Sequence, residues 1–318
     1  MGFERSFDKV KMMQNDPLFI TRLMPDIIKG NVYPAVRKKE FHFYYGGGCL
    51  FKFSGSSFKR NPAYEYHDPV NPSEKKEFPN VYVTQNSYRK IDGKPRSFTE
   101  NYETFKQQNK KKFGNFDDDG TERVPCERQF LEEYYHATYA GNELPNVCVL
   151  DIEVRVNEGG SRKKCDMVLY NKIRNEIMFV EGKLFNNSDL DLSWGKTKVI
   201  EQVSAYTSII NYQDKATGES ATNHIEAAYA KYIEIVSGIF FNSSKDPQSP
   251  LRLIRDAKLL VFETPDSMDG VSEEKRAGIA EIDKSAIKTL WVPCVANDNL
   301  SELPEKYPLE YIWESLCK

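Results

Sequence analysis

Asp166, Glu181 and Lys183 are the residues of this chain whose types and spacing best suit chemistry. They belong to the segment CDMVLYNKIRNEIMFVEGK, residues 165–183, in which two short apolar, partly β-branched runs, 166–170 and 176–181, flank a polar turn from Asn171 to Asn175. A turn centred on residues 173 and 174 pairs Tyr170 with Ile177 and sets Asp166 opposite Glu181. Opposed residues on one sheet face have Cβ atoms roughly 4.5–5.5 Å apart, and like charges there destabilise the sheet. A divalent cation with oxygen ligands is the simplest neutralising partner. Strand alternation returns Lys183 to the face of Glu181, which adds an ammonium to the two acids.

An acid-x-Lys tripeptide means little alone, because the chain repeats it at Glu74–Lys76, Asp92–Lys94, Asp256–Lys258 and Glu273–Lys275. Context separates them. Glu74 lies in the polar stretch NPSEKKEFPN, Asp92 in an Asp-Gly turn, Asp256 ahead of a strand and Glu273 at a helix start. Only Glu181 ends an apolar strand whose hairpin partner carries an acid at the matching place.

An Asp, a hairpin and a strand ending Glu-Gly-Lys resemble the catalytic signature of the PD-(D/E)XK nuclease superfamily. The resemblance implies that Asp166, Glu181 and the Gly182 carbonyl hold Mg2+, with Mn2+ able to substitute, and that Lys183 positions or activates the attacking water. Cys165 stands where the family name has Pro, a position loosely kept in the family.

The elements around the hairpin add candidates. Within KTKVIEQVSAYTSIIN, residues 196–211, Val199, Val203, Tyr206 and Ile210 recur at helical spacing, and Gln202 lies on the edge of that apolar stripe. A buried unpaired amide costs about 1–3 kcal/mol in proteins, so Gln202 is expected to have a polar partner. Gln-x-x-x-Tyr in the helix after the Glu-x-Lys strand resembles the extra motif of the RecB-like branch of the superfamily, which implies Gln202 at the site and Tyr206 in support. Upstream, ERQFLEEYYHATYA reads as a helix with Phe130, Leu131, Tyr134 and Thr138 on one face, extended by Glu127. The superfamily often carries a second-metal Glu on the helix before its first core strand. Glu127 is the choice here, with Glu132 and Glu133 in competition. Between helix and hairpin, VCVLDIEVRV reads as a strand with Asp151, Glu153 and Arg155 on one face, where Glu153 is either a further acid near Asp166 or an outer-face residue.

A chain of 318 residues exceeds the usual single core and predicts one domain with large insertions or two domains. A hydrophobic content of 40% with 13% aromatics excludes a disordered chain. No apolar run spans a membrane and the charged start MGFERSFDKVK lacks a signal-peptide core, so a soluble cytoplasmic protein is expected. Cys49, Cys126, Cys148, Cys165, Cys294 and Cys317 are scattered, which predicts reduced core thiols and argues against an iron–sulfur cluster or structural zinc. The net charge of −3 is not that of a uniformly phosphate-binding surface. Basic residues cluster locally at Arg37-Lys38-Lys39, Lys59-Arg60, Lys110-Lys111-Lys112, Arg162-Lys163-Lys164 and Lys196/Lys198. Of these, only the Arg162-Lys163-Lys164 turn beside Asp166 is expected to contact nucleic acid, the others being solvated surface.

Residues 17–29 read as helical and 38–55 as two aromatic-rich strands around Gly46-Gly47-Gly48, a hairpin turn without the context of a phosphate loop. Residues 54–120 read as an irregular elaboration with only NVYVTQNSY strand-like. From 121 the order is helix, three strands, helix 196–211, helix 221–238 and strand 257–263, followed by a helix over 272–282, a strand over 288–295 and a helix over 308–316. That order predicts an α/β class with a mixed α+β sheet. By resemblance, it is a restriction-endonuclease-like αβββαβ core over about 121–264, inside a nuclease domain of 121–318 with an N-terminal elaboration of 1–120.

The expectation is therefore a Mg2+-dependent phosphodiesterase acting on nucleic acid, DNA ahead of RNA. Family analogy places it in restriction or antiphage defence, as a homodimer or with a partner subunit. The alternative is a non-catalytic nucleic-acid-binding or subunit-interaction protein that retains the fold.

Overall fold

The computed structural model describes residues 3–60, 83–84, 97–113, 127–158, 161–193, 196–241, 250–263, 271–293 and 300–318. The chain opens with α1 (Val10–Gln14) and a π-helical turn (Phe19–Leu23) running into α2 (Met24–Ile28). An antiparallel sheet follows, ordered β1 (Tyr33–Arg37), β2 (Glu40–Tyr45), β3 (Gly48–Ser54), β4 (Ser57–Arg60) and β5 (Val83–Thr84). Period-two alternation turns Phe41, Phe43, Phe51, Phe53 and Phe58 inward, where all five are buried and their rings pack at centroid distances of 5.0–6.4 Å.

Helix α3 (Tyr102–Phe113) occupies part of the stretch expected to be irregular. Its buried positions, Tyr102, Phe105, Lys106 and Asn109, do have helical spacing, but two of them are polar. Lys106 is neutralised by Asp26 at 2.7 Å, and the Asn109 amide donates to the carbonyls of Gly48 (3.1 Å) and Tyr45. A search for apolar periodicity passes over such a helix. The remainder of the NVYVTQNSY strand, together with Glu74, Lys76, Asp92, Lys94, Cys126 and Cys294, lies outside the described residues.

The second part begins with α4 (Glu127–His136) and a meander of β6 (Val147–Glu158), β7 (Ser161–Asn171) and β8 (Glu176–Leu184). A ribbon of β9 (Leu192–Ser193) and β10 (Lys196–Thr197) leads to α5 (Lys198–Ile210) and α6 (Ala221–Phe240). Then come β11 (Arg252–Leu253), β12 (Lys258–Glu263), α7 (Glu273–Lys284), β13 (Thr289–Pro293), α8 (Leu303–Lys306) and α9 (Leu309–Cys317). The sheet is ordered β13-β12-β8-β7-β6 with β11 also on β8, and it is mixed as expected: β6, β7 and β8 are antiparallel, whereas β12 runs parallel to β8 and β13. Being central, β8 is buried along nearly its whole length.

Strand β7 starts five residues earlier than the apolar run that announced it. Arg162, Lys163 and Lys164 are therefore not a turn but ladder residues opposite Asn157, Val156 and Arg155. The side chains of Arg162 and Lys163 lie outside the described residues. Of the other basic residues expected at the surface, Arg60 is buried and Arg37 is half-buried. Arg60 donates to the Leu50 carbonyl at 3.2 Å and lies 4.7 Å from the Phe105 ring, and Arg37 is drawn inward by Asp151.

Asp151 itself is fully buried, because the N-terminal sheet covers the face of β6 that the alternation pattern left open. Its Oδ2 accepts from Arg5 Nε at 2.9 Å and Tyr229 at 3.1 Å, and its Oδ1 from Arg37 and from the Ile152 N–H at 2.8 Å. Nearby, Tyr33 on β1 donates to the Val149 carbonyl at 2.7 Å, and one contiguous apolar cluster runs through both sheets. Cys49, Cys148, Cys165 and Cys317 are free thiols. No helix among the described residues is long and apolar enough to cross a membrane.

Candidate active site

The β7–β8 hairpin has the register that places the acids together. Tyr170 pairs with Ile177, and the ladder runs to Met167 opposite Val180, so Asp166 and Glu181 are the next opposed pair. The turn fixes this register chemically. Asn171 Oδ1 accepts from the Arg174 N–H at 2.9 Å, Asn175 takes a left-handed φ of 50°, and the Tyr170 hydroxyl reaches Asn175 Oδ1 at 3.1 Å.

Beyond the last ladder pair, Asp166 Oδ2 accepts from the Gly182 N–H at 2.9 Å. Lys183 Nζ lies 2.7 Å from Glu181 Oε1 and 3.5 Å from Glu127 Oε1. Gly182 lets α4 come close, since a Cβ there would stand 2.8 Å from Leu131 Cδ2, one turn after Glu127 on that helix. Of the three competing helix glutamates, Glu127 thus reaches the lysine. Glu132 instead accepts from the Gly47 N–H across the cleft.

The electrostatics follow from burial with too little positive charge. Desolvation raises the carboxyls of Glu127, Asp166 and Glu181 above their ordinary range, and Lys183 opposes this in each case; Asp166 raises both glutamates further and Glu127 raises Glu181, whereas Asp166 is itself lowered by the Gly182 N–H, Lys164 and Glu181. Glu181 Oε2 is buried with no hydrogen-bond partner among the described residues. Burial works against the Lys183 charge, but Glu181, Asp166 and Glu127 together hold its ammonium well above the usual lysine value. Glu132 is pushed up to about 7 by burial.

Helix α5 supports the site. The Tyr206 hydroxyl donates to the Lys164 carbonyl, two residues before Asp166, and so pins the strand that carries it. Gln202 turns to another acid: its Nε2 reaches Asp189 Oδ2 at 3.4 Å, while its Oε1 is buried without a partner among the described residues. Asp189 also holds Lys198 at 2.5 Å. Glu153 is the further acid near Asp166. It takes a left-handed φ of 50° within β6, a strained position for glutamate, and accepts from Lys164 Nζ at 2.6 Å.

Two groups at the site escaped the sequence reading. Asn187, in the loop after β8, donates to Glu127 Oε2 at 2.9 Å and orients it. Tyr44, Gly47 and Phe113 of the N-terminal part form the opposite wall of a cleft of about 510 Å3 that Glu127 and Asp166 line. The three-glycine run held a signal for this wall. Gly46 and Gly47, with φ of 54° and 81°, meet the demand of a two-residue hairpin, but Gly48 is not needed there. A Cβ on Gly48 would stand 2.2 Å from Phe113 Cδ2, so its bareness serves packing against α3.

The decoy at Glu273 is indeed a helix start, with Ser272 capping the Lys275 N–H at 3.1 Å, and Asp256 precedes β12. Among the described residues, no group of three or more His, Cys, Asp and Glu side chains is placed to hold a metal ion. Compared with protein-family models, curated proteins and solved structures, the chain matches none.

Proposed function

We propose that this protein is a Mg2+-dependent nuclease of the PD-(D/E)XK type that hydrolyses phosphodiester bonds in nucleic acid, with DNA the first substrate to test. One observation carries the reading: Lys183 stands within 2.7 Å of Glu181 and 3.5 Å of Glu127, beside Asp166 in the hairpin register that the signature requires. The element order α4, β6–β8, α5 and β12 agrees with it.

The donor set suits Mg2+. This ion keeps several waters and takes one or two carboxylates plus substrate phosphate oxygens, so a site of three or more protein ligands is not required. Asp166 and Glu181 would hold it, and the unpartnered Glu181 Oε2 is the atom with spare capacity. Bound there, the ion would neutralise charge at the scissile phosphate and make its water a stronger nucleophile.

The remaining roles follow from protonation. Lys183 is held as a cation by the surrounding carboxylates, so it has no lone pair to accept a proton. It acts by donating hydrogen bonds that orient the attacking water and by stabilising negative charge developing on the phosphate. Glu127, its carboxyl raised by burial and oriented by Asn187, is placed to share that water. Tyr206 acts one step removed, by holding the backbone ahead of Asp166.

Incubation of the purified protein with circular and linear, single- and double-stranded DNA and RNA tests the proposal. Cleavage is expected with Mg2+ or Mn2+, none with EDTA, and none from Asp166→Ala. Cleavage that is independent of metal, or undiminished in Asp166→Ala, would overturn it.

A further inference from the structure

Asp166 has an acid on each flanking strand. Glu181 stands opposite it on β8, and on β6 the opposite position is Glu153, between the ladder pairs Ile152–Met167 and Val154–Cys165. Lys183 lies on the β8 side. The β6 side holds a separate group of polar side chains, Arg128, Tyr135, Glu153 and Lys164, which line the same cleft as Asp166.

Glu153 binds its partners from a strained backbone. At its left-handed φ of 50°, Oε1 accepts from Lys164 Nζ at 2.6 Å but lies 3.6 Å from Arg128, too far for an ordinary hydrogen bond. One carboxylate oxygen thus serves as the anion for two cations from two elements, β7 and α4, and satisfies only the first.

Helix α4 adds a donor. Glu127, Leu131 and Tyr135 recur every four residues along one face: Glu127 reaches Lys183, Leu131 packs over Gly182, and Tyr135 comes to the cleft beside Asp166. Tyr135 is 6% exposed and its ring packs on Tyr33 at 5.5 Å, yet its hydroxyl forms no hydrogen bond among the described residues. Burial holds that hydroxyl well above its ordinary value, helped by Asp166, Glu132 and Glu153 and opposed by Arg128, so it stays protonated and can donate. A buried hydroxyl without a partner is unfavourable, and an acceptor is what this one lacks.

The local charge admits an anion. Lys164 cancels Glu153, Glu132 is raised to about 7 and is only partly charged at neutral pH, and Arg128 is left over. Asp166 is the acid that Mg2+ would neutralise.

We propose that Arg128, Lys164 and the Tyr135 hydroxyl form a second phosphate subsite, on the β6 side of Asp166, which Glu153 fills as a stand-in until a substrate phosphate displaces it. A guanidinium, an ammonium and a neutral hydroxyl bring donors alone, the set that suits phosphate oxygens, and backbone strain makes the Glu153 carboxylate easier to displace. The substrate class is then a strand with a phosphodiester beside the one at Asp166, and a nucleotide with a single phosphate does not fill the site. That the phosphate at Asp166 is cut rests on the nuclease reading; the subsite does not.

The test is fluorescence anisotropy of a labelled short DNA oligonucleotide on the full chain, with Ca2+ in place of Mg2+ so that binding is read apart from cleavage. Tyr135→Phe keeps the ring on Tyr33 and should weaken binding about tenfold with Tm unchanged. Lys164→Gln should weaken it and lower the slope of log K against log salt by about 1. Glu153→Gln releases both cations and should tighten binding several-fold. Were Glu153 only a structural partner of Arg128 and Lys164, Glu153→Gln would lower Tm and bind no better. Absence of binding by the wild type, unchanged affinity in Tyr135→Phe, or no gain in Glu153→Gln overturns the subsite, and Mg2+-dependent cleavage alongside any of these leaves the nuclease reading standing without it. The expected order of affinities without cleavage of any substrate keeps the subsite and removes the nuclease reading.

Discussion

Asp151 and Glu181 lie in the same sheet at 0% and 2% exposure, yet the protein treats the two carboxylates in opposite ways. Burial alone would raise the Asp151 carboxyl, but Arg37 and Arg5 hold it below its ordinary range, and a tyrosine and a backbone N–H complete its hydrogen bonds. Around Glu181, Lys183 faces three carboxylates and Lys164 acts on Asp166 alone, yet all three carboxyls stay raised, and Glu181 Oε2 has no hydrogen-bond partner among the described residues. Two guanidinium groups for one carboxylate make a closed, structural joint between the N-terminal sheet and β6. Two ammonium groups, one of them reaching only Asp166, leave three carboxylates with a deficit of positive charge that a cation can fill. Burial does not separate these two acids; the balance of charge around each does.

The sharpest way to break this comparison is to remove an acid on each side. Asp151→Asn should cost about 3–5 kcal/mol in urea unfolding, because the buried Arg5 and the half-buried Arg37 lose their counter-charge. A loss below about 1 kcal/mol would mean that Arg5 and Arg37 reach solvent unaided. On the other side, Asp166→Ala and Lys183→Ala should each lower cleavage by at least about 100-fold with the fold intact. Wild-type activity in either variant removes these residues from the site. For stability, Asp166→Asn should leave the metal-free protein unchanged or raise it by up to about 1 kcal/mol, since it relieves like-charge repulsion. A marked destabilisation would make Asp166 another structural acid.

A pH titration sharpens the same contrast. Glu132 is raised from 4.5 to about 7, so the folded protein binds its proton more tightly than the unfolded chain. Its contribution is full at acid pH and is lost as pH rises through about 7, by roughly 3–4 kcal/mol in all. Glu132→Gln keeps an acceptor for the Gly47 N–H and should flatten that part of the stability profile. Asp151 has the reverse sign: its depressed carboxyl stabilises the fold above the ordinary carboxylate range and is lost as pH falls below it. An unaltered profile in Glu132→Gln would place that carboxylate in contact with water.

The smallest expected stability effect is at Gln202. Its hydrogen bond to Asp189 is long, 3.4 Å, and its Oε1 has no partner among the described residues, so Gln202→Leu should change stability by less than about 1 kcal/mol. Single-turnover cleavage should nevertheless fall several-fold, because the unpaired oxygen is what the side chain has left to offer a water or substrate. Full activity with lowered stability would make Gln202 a partner of Asp189 alone.

The sequence by itself determined the β7–β8 hairpin and what it carries. A polar turn between two apolar runs sets the register, and period-two alternation then dictates that Asp166, Glu181 and Lys183 converge, whatever packs around them. The apolar stripe of α5 likewise placed Tyr206 against the sheet, and the order of helices and strands after residue 121 gave the mixed α/β class. Contacts between residues far apart in the chain had no such local rule. Asp151 meets Arg5 and Arg37 across 146 and 114 residues, and no spacing in the sequence distinguishes that buried acid from a solvated one. Helix α3 was hidden because two positions of its buried face are Lys106 and Asn109, whose partners, Asp26 and the turn carbonyls, come from the N-terminal helix and sheet. Gln202 sits where the stripe put it, but only the loop after β8 decided that Asp189 would receive its amide. Tyr44, Gly47 and Phe113 become a wall of the cleft only when the N-terminal sheet docks against α4, because a surface shared by two parts of a chain is a property of their packing and is encoded in neither part alone.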